Sequence, residues 1–138
     1  MHRRTCLDAS DVRLLMAAGR AEAERRGLPV ALAVVDEAGV LLALERLDRA
    51  RLHTPEAAWL KARTAAITRT STQDLQDAIQ ANAALLAFPG RLPLTGGVPL
   101  RVGEEIVGGV GSSGGEPEDD LAVCHAVRAA LGRLPLAG

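Results

Sequence analysis

A core without large flat side chains has to be built from small ones, and this chain has no other choice. Trp59 and Phe88 are its whole aromatic complement in 138 residues, with no tyrosine. Aromatic rings ordinarily supply much of the bulk that fills a core. Here alanine, valine, leucine and glycine must fill the interior, so the secondary-structure elements are expected to approach one another closely. The run Gly108-Gly109-Val110-Gly111 makes the same point locally. Glycine inside a strand is costly unless something comes close to the backbone. A helix, a second subunit or a flat ligand would each account for it.

The length allows one domain over residues 1–138 with one hydrophobic core. The chain is 48% hydrophobic and 24% charged, and its 14 Gly and 7 Pro are too few for a low-complexity or fibrous chain. Sixteen basic residues balance seventeen acidic ones, so no single-sign field marks a nucleic-acid or membrane-surface binder. No apolar run reaches the ~18 residues of a bilayer span. Met1-His2-Arg3-Arg4 leads into a charged amphipathic segment rather than the apolar stretch of a signal peptide, and a cytoplasmic location is expected. Cys6 and Cys124 are far apart without CxxC spacing, so both are expected to act as small buried hydrophobes.

Apolar residues Leu7, Leu14, Leu15, Ala18 and Ala21 recur at helical spacing up to Arg26, where Gly27 and Pro29 end the helix. Val30–Val35 and Val40–Leu47 read as a hairpin turned by Asp36-Glu37-Ala38-Gly39. Thr54-Pro55 opens an alanine-rich helix to about Thr68. Ser71 with Asp74 caps another that should run to about Leu86. Leu92–Thr95, Val98–Val102 and Ile106–Val110 read as short extended pieces, and Pro117 to about Leu131 as a last helix. Hairpin-joined strands with helices segregated from them indicate an α+β fold with a mostly antiparallel sheet of about five strands flanked by helices.

Lys61 is the single lysine, on a stripe of small or apolar residues with Ala57, Leu60, Thr64, Ala65 and Thr68. An ammonium so placed needs a partner. It pairs structurally, with Asp36, Asp48 or an acid after Gly115, or anchors a ligand carboxylate, or serves catalytically as a Schiff-base or general-base lysine, for which the sequence fixes no second catalytic group. Arg46 and Asp48, two apart on a strand, share a face and can pair, which leaves Arg46 able to bind a carboxylate. Asp36 is placed to cap the hairpin turn. The Ser112-Ser113-Gly114-Gly115 loop offers backbone N–H groups, yet Glu116, Glu118, Asp119 and Asp120 crowd the following helix start, which disfavours phosphate there. His2 lies at the terminus and His125 in the last helix as a boundary residue. His53, in the loop before the Lys61 helix and near Arg46 and Glu56, is the histidine placed to bind iron or move a proton.

Several segments together resemble the GlcG/HbpS family. They are Val34-Val35-Asp36-Glu37-Ala38-Gly39, Arg46-Leu47-Asp48, Lys61-Ala62-Arg63-Thr64-Ala65, Gly96-Gly97-Val98-Pro99, and Gly108 to Gly114 followed by Glu118-Asp119-Asp120, in that order. The resemblance implies a single antiparallel sheet flanked by helices, homo-oligomers, and haem or corrinoid contact in some members. Together these readings lead to a homo-oligomeric ligand-binding protein. Its ligand set is read as Arg46, Lys61, Gly96, Gly97, Ser113 and Gly114. The ligand is a haem or other tetrapyrrole by resemblance, with His53 on the iron if haem is bound, or a small carboxylate by the Lys61 and Arg46 chemistry. An enzyme acting on a small organic acid, with Lys61 and Arg46 positioning it and His53 or Glu56 moving a proton, is the alternative, and a structural accessory subunit is a third.

Overall fold

The hairpin expected at Asp36 forms as its turn chemistry dictates. The Asp36 carboxylate accepts from Ala38 N–H and Val40 N–H, both at 2.9 Å, and Gly39 takes a left-handed φ of 82°. Strands β1 (Ala31–Val35) and β2 (Leu41–Arg46) leave this turn antiparallel. The computed structural model describes residues 1–135. Strands β3 (Gly97–Val102) and β4 (Glu105–Ser113) form a second hairpin, and β4 pairs antiparallel with β1. The result is one four-stranded sheet in the order β2-β1-β4-β3.

The fifth extended piece, Leu92–Thr95, does not join the sheet. Pro93 has no N–H to give, the Leu92 N–H is taken by the Thr64 hydroxyl at 2.8 Å, and the Leu94 N–H turns back to the Leu92 carbonyl.

Helices α1 (Ala9–Arg26) and α4 (Pro117–Gly132) cover one face of the sheet, and α2 (Thr54–Thr68) covers the other. Helix α1 is capped by a reciprocal Asp8–Asp11 pair and ends at left-handed Gly27. Its dry side is Val12, Leu15, Met16, Gly19 and Ala23. Leu14 and Ala21, expected inside, are exposed, because the helix is rotated so that Gly19 rather than Ala21 meets the Leu32 side chain. The helix begun at Ser71 also stops early. Helix α3 (Thr72–Ala81) ends at Asn82, whose side chain caps a 3-10 turn over Ala83–Ala87.

Alternation along the strands sorts side chains by size. Leu32, Val34, Val98, Leu100 and Val110 point to α1 and α4 and join Leu15, Met16, Val123 and Val127 in the main core. On the opposite face Ala31, Ala33 and Val35 lie beside Gly109 and Gly111, under the Ala58–Ala62–Ala66 row of α2. A Cβ on Gly97, Gly109 or Gly111 would strike the carbonyl of Lys61, Ala62 or Ala58, respectively. The partner that the strand glycines admit is therefore the chain's own helix α2.

Candidate functional site

The close approach of α2 brings Lys61 to the start of β3, and the lysine stem runs past that strand rather than out to solvent. Gly96, at φ 126°, makes the passage possible. A Cβ there would lie 3.0 Å from Lys61 Nζ, 3.1 Å from Asp120 Cβ and 2.7 Å from the Ser112 carbonyl. Beyond it the ammonium donates to the Ser112 carbonyl at 3.0 Å and reaches Asp120 Oδ2 at 3.5 Å. Asp120 belongs to α4, so this ion pair joins helices packed on opposite faces of the sheet. Its side chains are 7% and 4% exposed.

The remaining lone pairs of Asp120 are used as well. Oδ1 accepts from the Gly115 N–H at 3.1 Å and from the Ser112 hydroxyl at 3.3 Å. Burial pushes the Asp120 carboxyl above its ordinary range, while the Lys61 charge, the Gly115 N–H and the Ser112 hydroxyl pull it back. Cys124, one helical turn further along α4, sets its thiol against the Gly96 carbonyl at 3.2 Å. Burial and then the Asp120 charge push that thiol up to about 12, so it is no nucleophile near neutral pH. Thr72 and Gln76 of α3 complete the surroundings. The Gly97 N–H donates to Thr72 Oγ1 at 2.9 Å, and Thr95 donates twice to Gln76 Oε1 at 2.8 Å. Among the described residues no buried side-chain nitrogen or oxygen lacks a partner.

The sequence-derived ligand set thus divides in two. Lys61, Gly96 and Gly97 lie in this closed interior network, where the ammonium is committed to Asp120 and Ser112. Arg46, His53, Glu56, Ser113 and Gly114 gather at one end of the molecule. The register sets Ala31 between Arg46 and Ser113, and a Cβ on Gly114 would lie 3.4 Å from Thr54, the first residue of α2. Arg46, His53 and Glu56 are exposed, and His53 makes no capping bond with its side chain. Leu52 beside it is 83% exposed, and Trp59, Leu42 and Leu44 add apolar surface along the open edge of β2.

Three expectations change. Arg46 and Asp48 form no ion pair among the described residues. The strand ends at Arg46, so Asp48 falls in the following turn, and it is Glu45 that finds a cation, Arg20 of α1, at 2.8 Å. Cys6 is exposed, because it precedes α1 in an N-terminal segment that is held at the protein surface by Thr5 N–H to Glu105 and by the Arg4–Glu37 pair. His125 is exposed on α4; partial burial and then the Arg128 charge lower its pKa. The sequence had signalled an acid after Gly115 for Lys61 but not which of four. Asp120 is singled out by lying one turn before Cys124 on the dry side of α4. Thr72 and Gln76 carried no signal, since helix-start threonines and glutamines are ordinarily wet.

Among the described residues no helix is long and apolar enough to cross a membrane, and no group of three or more His, Cys, Asp or Glu side chains is placed to hold a metal ion. A family model described as haem degrading protein HbpS-like matches residues 7–129. The chain belongs to the HbpS-like family. GlcG of Escherichia coli strain K12 is 39% identical over 103 residues, which cover 72% of this chain and 75% of GlcG. The crystal structure of a double mutant of Streptomyces reticuli HbpS has the same fold, with a TM-score of 0.90 at 30% identity over 96% of this chain and 92% of that one. The crystal structure of a PduOC–haem complex superposes with a TM-score of 0.85 at 27% identity, covering 96% of this chain and 98% of that one. The α+β fold with one antiparallel sheet is thus the HbpS-like fold.

Proposed function

We propose that this chain is a haem-binding member of the HbpS-like family that works as a homo-oligomer and holds the macrocycle at the exposed end of α2. The observation that carries the reading is the family match over nearly the whole chain together with a haem complex on the same fold. The residues at that end fit the group. His53 offers a solvent-facing imidazole, Leu52 and Trp59 offer apolar cover, and Arg46 and Arg51 are exposed cations for the haem carboxylates. When bound, haem supplies an iron centre whose reactivity is set by its axial ligand and by how dry its pocket is. One chain presents an apolar ledge on a single side, and a flat macrocycle is held best between two. A second copy closing over the β2 edge supplies the other wall, which is the physical reason to join haem binding to oligomerisation. The Lys61 carboxylate-anchor reading has less support, because its ammonium is already committed within the interior network.

Haemin titration tests this reading. A saturable Soret shift is expected in the wild type and in His125→Ala, and its loss or displacement in His53→Ala. Equal spectra for wild type and His53→Ala would remove His53 from the iron. Absence of any saturable shift would remove haem. A monomeric light-scattering mass at micromolar concentration, with and without haemin, would remove the oligomer.

A further inference from the structure

Away from both clusters, helix α3 and the 3-10 turn form a flap that is poorly filled. Thr72 is the only buried residue of α3, and the 3-10 turn buries none. Leu75 and Ile79, one turn apart, are half-buried, while Leu86 and Phe88 are 61% and 58% exposed. Between this flap and Thr68 of α2 lies a cavity of about 180 Å³, lined also by Leu85, Arg91 and Pro93. An apolar cavity of about 150 Å³ is enough to admit benzene. The volume therefore suits one six-membered ring or a branched alkyl group and is too small for a tetrapyrrole, since pockets for drug-sized ligands run from ~300 Å³ upward.

One lining residue is charged. The Arg91 guanidinium lies 4.9 Å from the centroid of the Phe88 ring and donates to the Pro89 carbonyl at 3.2 Å. Among the described residues it has no carboxylate partner, and neither has Arg63. Arg63 also approaches this turn, with Nη2 3.9 Å from the place of a Cβ on Gly90. Two guanidiniums thus lie near the Pro89–Gly90 turn. The acids of α3, Asp74 and Asp77, are exposed and lie off the Leu75–Ile79 stripe by helical geometry, so they do not neutralise the mouth.

We propose that this cavity is a second ligand site, for a small monocarboxylate with a single aromatic ring or branched apolar body. The body lies against Leu75, Ile79, Leu85 and Phe88, and the carboxylate meets the Arg91 fork, whose planar donors match a carboxylate in two-point geometry. The site is independent of the haem end, so either can fail alone.

Phenylacetate is the probe, with 2-phenylethanol as its neutral counterpart, both followed by ligand-observed NMR titration on the full chain. Saturable phenylacetate binding at least tenfold tighter than the alcohol is expected. Arg91→Gln should erase that preference, and Ile79→Trp, which fills the cavity, should erase binding of both probes while the protein stays folded by circular dichroism. Should Ile79→Trp not fold, chemical-shift perturbation of the wild-type Leu75, Ile79 and Leu85 methyls by phenylacetate replaces it. Equal affinity for the two probes, unchanged preference in Arg91→Gln, or perturbation confined to other methyls would each overturn the proposal.

Discussion

The two faces of the sheet are packed by different physics. Toward α1 and α4, Leu32, Leu100, Val34 and Val110 interlock with Leu15, Met16, Val123 and Val127, and side-chain volume sets the spacing. Toward α2, alanines and glycines face alanines, and the helix backbone itself comes down on the strands. A face held by side chains fails by opening a cavity, whereas a face held by backbone proximity fails by collision. The scarcity of aromatic residues therefore has its main effect on one side of the sheet only.

The largest expected effect comes from breaking the backbone-packed face. Gly111→Val sets a branched side chain against the Ala58 carbonyl, an obstacle that cannot change rotamer. The cost should exceed the ~1–3 kcal/mol usual for overpacking, and circular dichroism with size-exclusion chromatography should find no folded protein. A soluble, cooperatively melting Gly111→Val would mean that α2 can lift from the sheet.

Next is the tie between the faces. Lys61→Met keeps the stem and strands Asp120, with an expected cost of roughly 3–5 kcal/mol in urea unfolding, partly recovered by adding Asp120→Leu. The pH dependence has a definite sign. Burial raises the folded-state pKa of Asp120, so its contribution is fully present below 3.8 and is lost as pH rises through the folded value. Removing Lys61 removes a cause that lowers that pKa, so the variant should lose more stability at pH 7 than at pH 4. Equal losses at the two pH values would show that the pair is not electrostatic in effect.

The smallest effect belongs to the side-chain-packed face. Leu100→Ala leaves a cavity in the main core and should cost about 2–5 kcal/mol, with the protein still folded at room temperature. A loss as complete as that of Gly111→Val would erase the distinction between the faces.

Much of this arrangement was legible in the residues themselves, wherever the controlling chemistry is local. Asp36 caps its turn and Gly27 ends α1, because each of these signals acts within a few residues; the Gly108–Gly111 run announces a close neighbour without saying that it is α2. Helix phase was less legible. Leu14 and Met16 are both apolar, and it is the packing of Gly19 against Leu32 and Val127 that goes with a phase in which Met16 is inside. The same limit holds at the site. Lys61 declared its need for a partner, yet Asp120 and its neighbours Asp119 and Glu118 differ only in which way α4 faces. The cavity beside Phe88 left no trace in the pattern, since Leu75 and Ile79 of α3 and Leu85 of the 3-10 turn fall within what the sequence presents as one helix from Ser71 to about Leu86.

The contact between α2 carbonyls and strand glycines also sets a time scale. The amides of Ala62, Ala65 and Ala66 bond back to the carbonyls of Ala58, Lys61 and Ala62, as a helix requires, and those carbonyls are the atoms pressed onto Gly111, Gly97 and Gly109. Deuterium can reach these amides only when the whole layer separates, so they should exchange at the rate of global unfolding. Amides of α3, which buries Thr72 alone, should exchange by local opening, orders of magnitude sooner. A slow clock and a fast one thus sit side by side. The fast one forms a wall of the Phe88–Arg91 cavity, and a small molecule can enter and leave there without the sheet ever coming apart.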